Sequence, residues 1–476
     1  MGTFRRWVLP IGLGAVVVGL AATALVLDRG EATAEGDAAG AAVTTPVLSA
    51  RRLPDYVTEP GADLALRLRL IELVGAAPPD SCLVVTADDR TIVAHQETQP
   101  LIPASNEKTA LAAALLDVLG PEHRFTTELR AGGVDEAGVV AGDAWLVGGG
   151  DPQLSTAAYA DGDERQATAR TAIESVADSI AAAGITRITG RLIADESRYD
   201  SARYVPGWPE RFIEQNQTGP LSALSVNDGF GEFPTPADPA TELAATPDPP
   251  RLAAATLAFL LAERGVAVDG GVEVGAAPEG ATTLASVESE PLEAVVGQMM
   301  TYSDNQTAEL LLKELGVQVS GTGTTEAGRA ALAATLEEAD VDLAGAAFVD
   351  GSGLSEANRS TCALLLDVLE DQGAESPLAS GLAVAGETGT LAASFVDSPA
   401  QGRLLGKTGS LNDVRSLAGY VRVPDGDDLV FALVMNRGPV ILAEDAAVRD
   451  QIGLALADYP QRPPLDEVGP RPIREG

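Results

Sequence analysis

Lysine is nearly absent from this 476-residue chain: Lys108, Lys313 and Lys407 are the only three. Histidine is scarcer still, with His95 and His123, and cysteine is limited to Cys82 and Cys362. No zinc-ligand spacing can be built from these four residues, so neither a metal nor a cofactor is expected. Aromatic residues make up only 4% of the chain, so a core has to be assembled mostly from Ala, Leu and Val. Basic charge is also short. The 32 Lys and Arg stand against 69 Asp and Glu, for a net charge of −37. That balance argues against nucleic acid and anionic membrane surfaces as partners, since both are polyanions.

What is present starts with Arg5 and Arg6, followed by Trp7 to Leu27 without a charge. This stretch is long enough to span a bilayer, and the two arginines place its N-terminal side in the cytoplasm. Ala32-Thr33-Ala34 offers a cleavage site, so a cleaved signal peptide stays open beside an uncleaved anchor; the length favours the anchor. Either way the body of the protein is expected outside the cytoplasm. There Cys82 and Cys362 have two readings, one disulfide or two buried thiols.

Hydrophobic residues, at 45%, suffice for a large core. The expected layout is a signal-anchor at 1–27, a flexible linker at 28–60, a first catalytic part at 61–125 and inserted domain material at 126–289. A second catalytic part follows at 290–460, then a tail at 461–476. Helical spacing begins near Ala62. Strand-like runs at 81–86 and 91–95 flank the turn at Asp88-Asp89-Arg90. In the insert, 144–147 and 191–194 read as strands, and 171–183 and 252–264 as helices. Gly148-Gly149-Gly150-Asp151-Pro152 lacks a phosphate-loop ending and reads as a tight turn. The loop 349–355 is expected to cap the next helix, and 417–423 with 429–435 to form an antiparallel pair.

Chemistry concentrates at three places. Ser105 and Lys108 open an apolar helix and, three residues apart, share one face of it. A serine needs a base to become a nucleophile, and a lysine with a depressed pKa can be that base. The alternative for Ser105 is an N-cap beside a solvated lysine. The second place is Ser303-Asp304-Asn305, where Ser303 alone would read as an N-cap. The third is Lys407-Thr408-Gly409-Ser410. Two of only three lysines fall at these places, which makes coincidence a poor account.

The order S-x-x-K, S-D-N, K-T-G is the signature of penicillin-recognising serine acyl transferases and β-lactamases. Almost two hundred residues separate Ser105 from Ser303. With Gly-Gly-Gly-Asp-Pro and Asp350-Gly351-Ser352-Gly353-Leu354-Ser355, the chain from about Asp63 to Ala457 resembles the class C low-molecular-mass penicillin-binding proteins. These are D-alanyl-D-alanine carboxypeptidases/endopeptidases of peptidoglycan. The resemblance implies an α+β fold of the transpeptidase/β-lactamase-like kind: an antiparallel sheet flanked by helices, a helical lobe, and inserted β-rich domains. It implies that Ser105 attacks between the terminal D-alanines, Lys108 takes its proton, and Ser303, held between the two lysines, protonates the leaving amine. Asn305 would bind the stem-peptide amide, and Lys407, Thr408 and Ser410, around Gly409, the terminal carboxylate. The N–H groups of Ser105 and Ser410 would form the oxyanion hole. The implied partners are stem peptides ending in D-Ala-D-Ala, β-lactams as covalent inhibitors, and the cytoplasmic membrane through the N-terminal segment.

Three rivals are weighed against this. A class A β-lactamase needs a Glu-x-x-Leu-Asn segment to activate water; none occurs between Asn305 and Lys407, and Glu309, Glu314 and Glu356 lack that context. A silent wall-binding protein would need neither Ser105 nor Lys108. A generic esterase would show no preference for D-Ala-D-Ala. Glu387-Thr388-Gly389-Thr390 resembles a second copy of the third motif, but Glu387 carries the wrong charge, and the segment is read as a decoy.

Overall fold

The computed structural model describes residues 55–460, apart from Asp89, Thr168 and Asp425. The apolar N-terminal stretch, its cleavage site and the tail lie outside the described residues. Among the described residues no helix is long and apolar enough to cross a membrane.

Helix α1 (Asp55–Val74) starts ahead of the expected Ala62 and runs through Pro60. Pro60 is the sixth helical residue, past the first turn that tolerates proline, so it forfeits one i→i−4 backbone bond. Ala62, Leu66, Leu70 and Leu73 recur at helical spacing and are buried. Strands β1 (Asp80–Ala87) and β2 (Arg90–His95) form the expected hairpin. Helix α2 (Glu107–Leu119) follows, and every residue from Glu107 to Leu116 is buried. A helix buried all round belongs at the centre of a lobe, and α2 packs on helices arriving two hundred residues later.

Residues 126–288 build their own sheet. Strands β3 (Thr126–Ala131), β4 (Ala144–Val147), β5 (Leu192–Asp195), β6 (Val272–Val274) and β7 (Thr282–Glu288) stand in the order β6-β5-β4-β3-β7. The pairings β6–β5 and β5–β4 are parallel and the others antiparallel. Helices α3 (Ile173–Ala182) and α5 (Pro249–Glu263) close a separate core over Leu129, Leu146, Val176 and Leu257. Between them lies the short helix α4 (Glu210–Glu214).

The chain then returns to the lobe with α6 (Leu292–Tyr302), α7 (Asn305–Ser320), α8 (Thr325–Glu338) and α9 (Cys362–Gln372). Four strands follow: β8 (Ala383–Val384), β9 (Leu404–Leu411), β10 (Val414–Val421) and β11 (Leu429–Asn436). Helix α10 (Ala443–Ala457) ends the described chain. The main sheet has the order β8-β9-β10-β11-β1-β2 and is antiparallel throughout. β1 pairs with β11 from Asp80↔Asn436 to Ala87↔Leu429, so strands from either side of the insert meet inside one sheet. Alternate side chains of β1 go to opposite faces. Cys82 and Val84 face the helical lobe, while Leu83 and Val85 face the core shared with α1 and α10.

The cysteines form a disulfide, Cys82–Cys362, with Cα atoms 5.9 Å apart and 280 residues between them. It ties β1 to the first turn of α9, across the boundary between sheet and lobe. Closing so long a loop restricts the unfolded chain. Replacing both cysteines by Ala is expected to cost about 2–5 kcal/mol, read as a lower calorimetric Tm. Lys108 and Lys407 should remain in place, and β-lactam acylation at 25 °C should be retained.

Candidate active site

Ser105 lies in a single 3₁₀ turn, Ala104–Asn106, that precedes α2. It is therefore not the N-cap; Asn106 takes that position, without a side-chain capping bond. Ala104 before it has φ +50°, a left-handed conformation that costs a non-glycine residue about 1–2 kcal/mol. The turn is pressed against β9 and β10: Ser416 Oγ donates to the Pro103 carbonyl at 2.8 Å and accepts from Asn106 Nδ2 at 2.7 Å. Gly409 of β9 passes so close that a Cβ there would run into Ser416 Oγ and the Pro103 carbonyl. Glycine in the third motif is a packing requirement.

Lys108 is buried one turn beyond Ser105. Its Nζ lies 3.3 Å from Ser105 Oγ, 2.8 Å from Asn305 Oδ1 and 2.5 Å from the Ser352 carbonyl. The last two partners are amide oxygens and can only accept. In the neutral amine, two N–H bonds are taken by them, so the lone pair is left for the one neighbour with a proton to give, Ser105. Burial pushes Lys108 down to about 8, against the upward pull of Glu309, Asp350, Asp304 and Glu107. A base with that pKa is matched to work near neutral pH.

Ser303 closes α6 in the left-handed region, φ 61° and ψ 41°, and Asp304 rather than Ser303 caps the next helix by accepting from the Thr307 N–H. Asp304 is also held by Gln298 at 2.8 Å and by Arg165 of the insert at 3.1 Å. Burial alone would raise the Asp304 pKa, but Arg165, with Gln298, the Thr307 N–H and Lys108, holds it below the ordinary carboxylate range. The turn points Ser303 Oγ at Lys407 Nζ, 2.8 Å away. Lys407 reaches Ser303 and Lys108 reaches Ser105, so Ser303 does not bridge both lysines. Lys407 is fully buried in β9, and burial followed by the neighbouring Lys108 charge lowers its pKa well below that of a free lysine. An arriving carboxylate would favour the ammonium form. Asn305 turns its Oδ1 to Lys108 and donates from Nδ2 to the Gln217 carbonyl at 3.0 Å, leaving its second N–H for a ligand. The third lysine is structural: Lys313 Nζ bonds Asp200 Oδ1 at 2.5 Å and the Ala202 carbonyl at 3.2 Å.

All three motifs open on one cleft of about 530 Å³, where Ser105, Ser303, Asn305, Thr408 and Ser410 meet Phe212 and Arg415. Three parts of this site escaped the sequence reading. Thr390, from the segment read as a decoy, lines the cleft and accepts from Thr408 Oγ1 at 2.9 Å. The loop 349–355 does not cap a helix, since Thr361 caps α9; it supplies the Ser352 carbonyl to Lys108. The insert contributes Phe212 and Gln217 to the wall. A Thr-Gly-Thr copy beside the third motif was a visible signal for the first; the other two had none.

Comparison with known proteins agrees with the geometry. The profile of the D-Ala-D-Ala carboxypeptidase 3 (S13) family matches residues 81–233 and 230–459. The chain belongs to this family. A D-alanyl-D-alanine carboxypeptidase from an Actinomadura strain is 30% identical over 453 residues, covering 79% of this chain and 80% of that one. A carboxypeptidase of Mycobacterium tuberculosis is 34% identical over 350 residues, covering 71% and 72%. Among solved structures, penicillin binding protein 4 of Haemophilus influenzae superposes with a TM-score of 0.67 at 21% identity, over 82% of this chain and 98% of that one. The S13 fold is thus an antiparallel sheet with a helical lobe, divided in this chain by the second sheet at residues 126–288.

Proposed function

We propose that this S13 chain is a serine-type D-alanyl-D-alanine carboxypeptidase, with endopeptidase capacity on cross-links, at the outer face of the cytoplasmic membrane. The observation that carries this reading is the pair of buried lysines in one cleft, each on a different serine hydroxyl, with amide oxygens directing one of them at Ser105. Ser105 Oγ attacks the penultimate D-Ala carbonyl while Lys108 Nζ takes its proton. The Ser105 and Ser410 N–H groups stabilise the oxyanion, typically about 3–4 kcal/mol per donor. As the amide C–N bond breaks, Ser303 Oγ–H, beside Lys407, protonates the departing amine. Lys407, Thr408 and Ser410 hold the terminal carboxylate, and Asn305 holds the stem-peptide amide. Water then adds to the acyl-enzyme and releases Ser105. A β-lactam follows the same first step but keeps its leaving group tethered, so the adduct persists.

Glu309 does not supply a fast water-activating base: its Oε1 accepts from the Gly351 and Ser352 N–H groups at 3.1 and 2.7 Å, and the side chain is fully buried. A long-lived adduct is therefore expected in place of β-lactam turnover. The N-terminal apolar stretch supports membrane attachment of the body. The activity is tested with a synthetic acyl-D-Ala-D-Ala peptide and a cross-linked dimer: free D-alanine from the first and monomers from the second are expected. Hydrolysis of simple esters with neither product would overturn the assignment.

A further inference from the structure

Lys108 owes its orientation to a peptide carbonyl in a loop, and a loop carbonyl must itself be held. The peptide unit between Ser352 and Gly353 is gripped at both ends. Its carbonyl accepts from Lys108 Nζ at 2.5 Å, and its N–H, on the opposite side of the trans plane, donates to Asp350 Oδ1 at 2.8 Å. Asp350 is fully buried and all its contacts are donors: Asn358 Nδ2 at 2.7 Å on Oδ1, and the Ser355 N–H at 2.7 Å and Trp208 Nε1 at 2.8 Å on Oδ2. Trp208 comes from the insert, just ahead of α4. Gly353 has φ +81°, and a Cβ there would strike the Ala104 carbonyl, so the loop is also fitted directly against the Ser105 turn. Glu309 holds the two preceding N–H groups from below.

We propose that Asp350 is a positioning residue that clamps the Ser352–Gly353 peptide so that its carbonyl aims the Lys108 lone pair at Ser105, and that Trp208 couples the inserted domain to this clamp. The inference rests on the reading of Lys108 as the base. It assigns the insert a part in acylation beyond lining the cleft.

Asp350→Asn keeps the volume but turns an amide N–H₂ toward existing donors. Trp208→Phe removes one hydrogen bond and keeps an aromatic ring against Phe212. Both are made in the full chain and followed by stopped-flow acylation with benzylpenicillin, which separates the non-covalent constant from the acylation rate. The groups facing Lys108 are Glu107, Asp304, Glu309, Asp350 and Lys407. Removing the Asp350 charge alone would only move the acid limb of the pH profile to lower pH and leave the plateau intact. Positioning predicts a lower plateau, by on the order of 10²-fold for Asp350→Asn and about tenfold for Trp208→Phe, with non-covalent binding unchanged. The proposal is overturned if folded variants keep the wild-type plateau, or if binding weakens while the plateau holds. Lys108→Met serves as the control: wild-type acylation there would sink the lysine base itself, independently of the clamp.

Discussion

Ser105→Ala is expected to abolish both the benzylpenicillin adduct and D-alanine release, by roughly 10⁴-fold or more, since removing a nucleophile leaves only binding and oxyanion stabilisation. Intact-mass spectrometry reads this directly: wild type gains the mass of one drug molecule and the variant gains none. The fold should be untouched. Ser105 sits in a turn held by Ser416 and Asn106, and among the described residues its own Oγ makes only the long 3.3 Å contact to Lys108. An adduct of equal stoichiometry on the variant would place the nucleophile elsewhere, with Ser303 as the next hydroxyl on a lysine. If neither protein forms an adduct while the drug stays intact, the silent wall-binding reading gains. Drug consumed by wild type without an adduct would instead favour the β-lactamase.

Lys108→Met is expected to cut the acylation rate by roughly 10³-fold, within the range that a positioned general base supplies. Methionine is chosen because the lysine is fully buried, and a shorter side chain would leave a cavity among Glu309, Asp350 and Asn305. The pH dependence carries the same argument. Lys108 is useful only as the free amine, and burial places its pKa at about 8. Below that pH the ammonium form dominates and its third N–H occupies the direction of Ser105. The wild-type acylation rate should therefore rise about tenfold per pH unit toward pH 8 and then level off. The limb should vanish in Lys108→Met. A flat wild-type profile between pH 5 and 8 would mean that another group takes the Ser105 proton.

The two lysines show how far the sequence could be read. Ser105/Lys108 was legible because helical spacing alone puts the two on one face, and because lysine is so rare here. Ser303 and Lys407 were legible as motif positions and the resemblance implied Ser303 between both lysines, but not that it bonds Lys407 alone. Their 2.8 Å contact depends on where α6 ends relative to β9, two elements joined by a hundred residues of helix and loop. The sequence also presented Ser303 as a helix cap; the structure assigns that work to Asp304 and spends Ser303 on the site, at a strained φ. Glu387 has the wrong charge for a carboxylate site, which hides the segment's role in the sequence, yet Thr390 of that segment lines the cleft.

The sequence by itself determined the local chemistry: the hairpin strands, the amphipathic and Ala/Leu-rich helices, three ordered polar motifs, and a long interruption between the first two. Those follow from periodicity and residue type, which act over a turn or a strand. Tertiary structure decided everything that depends on distance between remote segments. It closed Cys82 on Cys362 across 280 residues, brought the Ser352 carbonyl to Lys108, and set Trp208 of the insert on Asp350. The physical reason is that leaving a polar group without a partner away from water is costly, and in a core this poor in lysine and histidine the partners are backbone groups, amide side chains and buried carboxylates. Nothing in their residue type marks such partners in a sequence; only packing of the sheet against the lobe selects them.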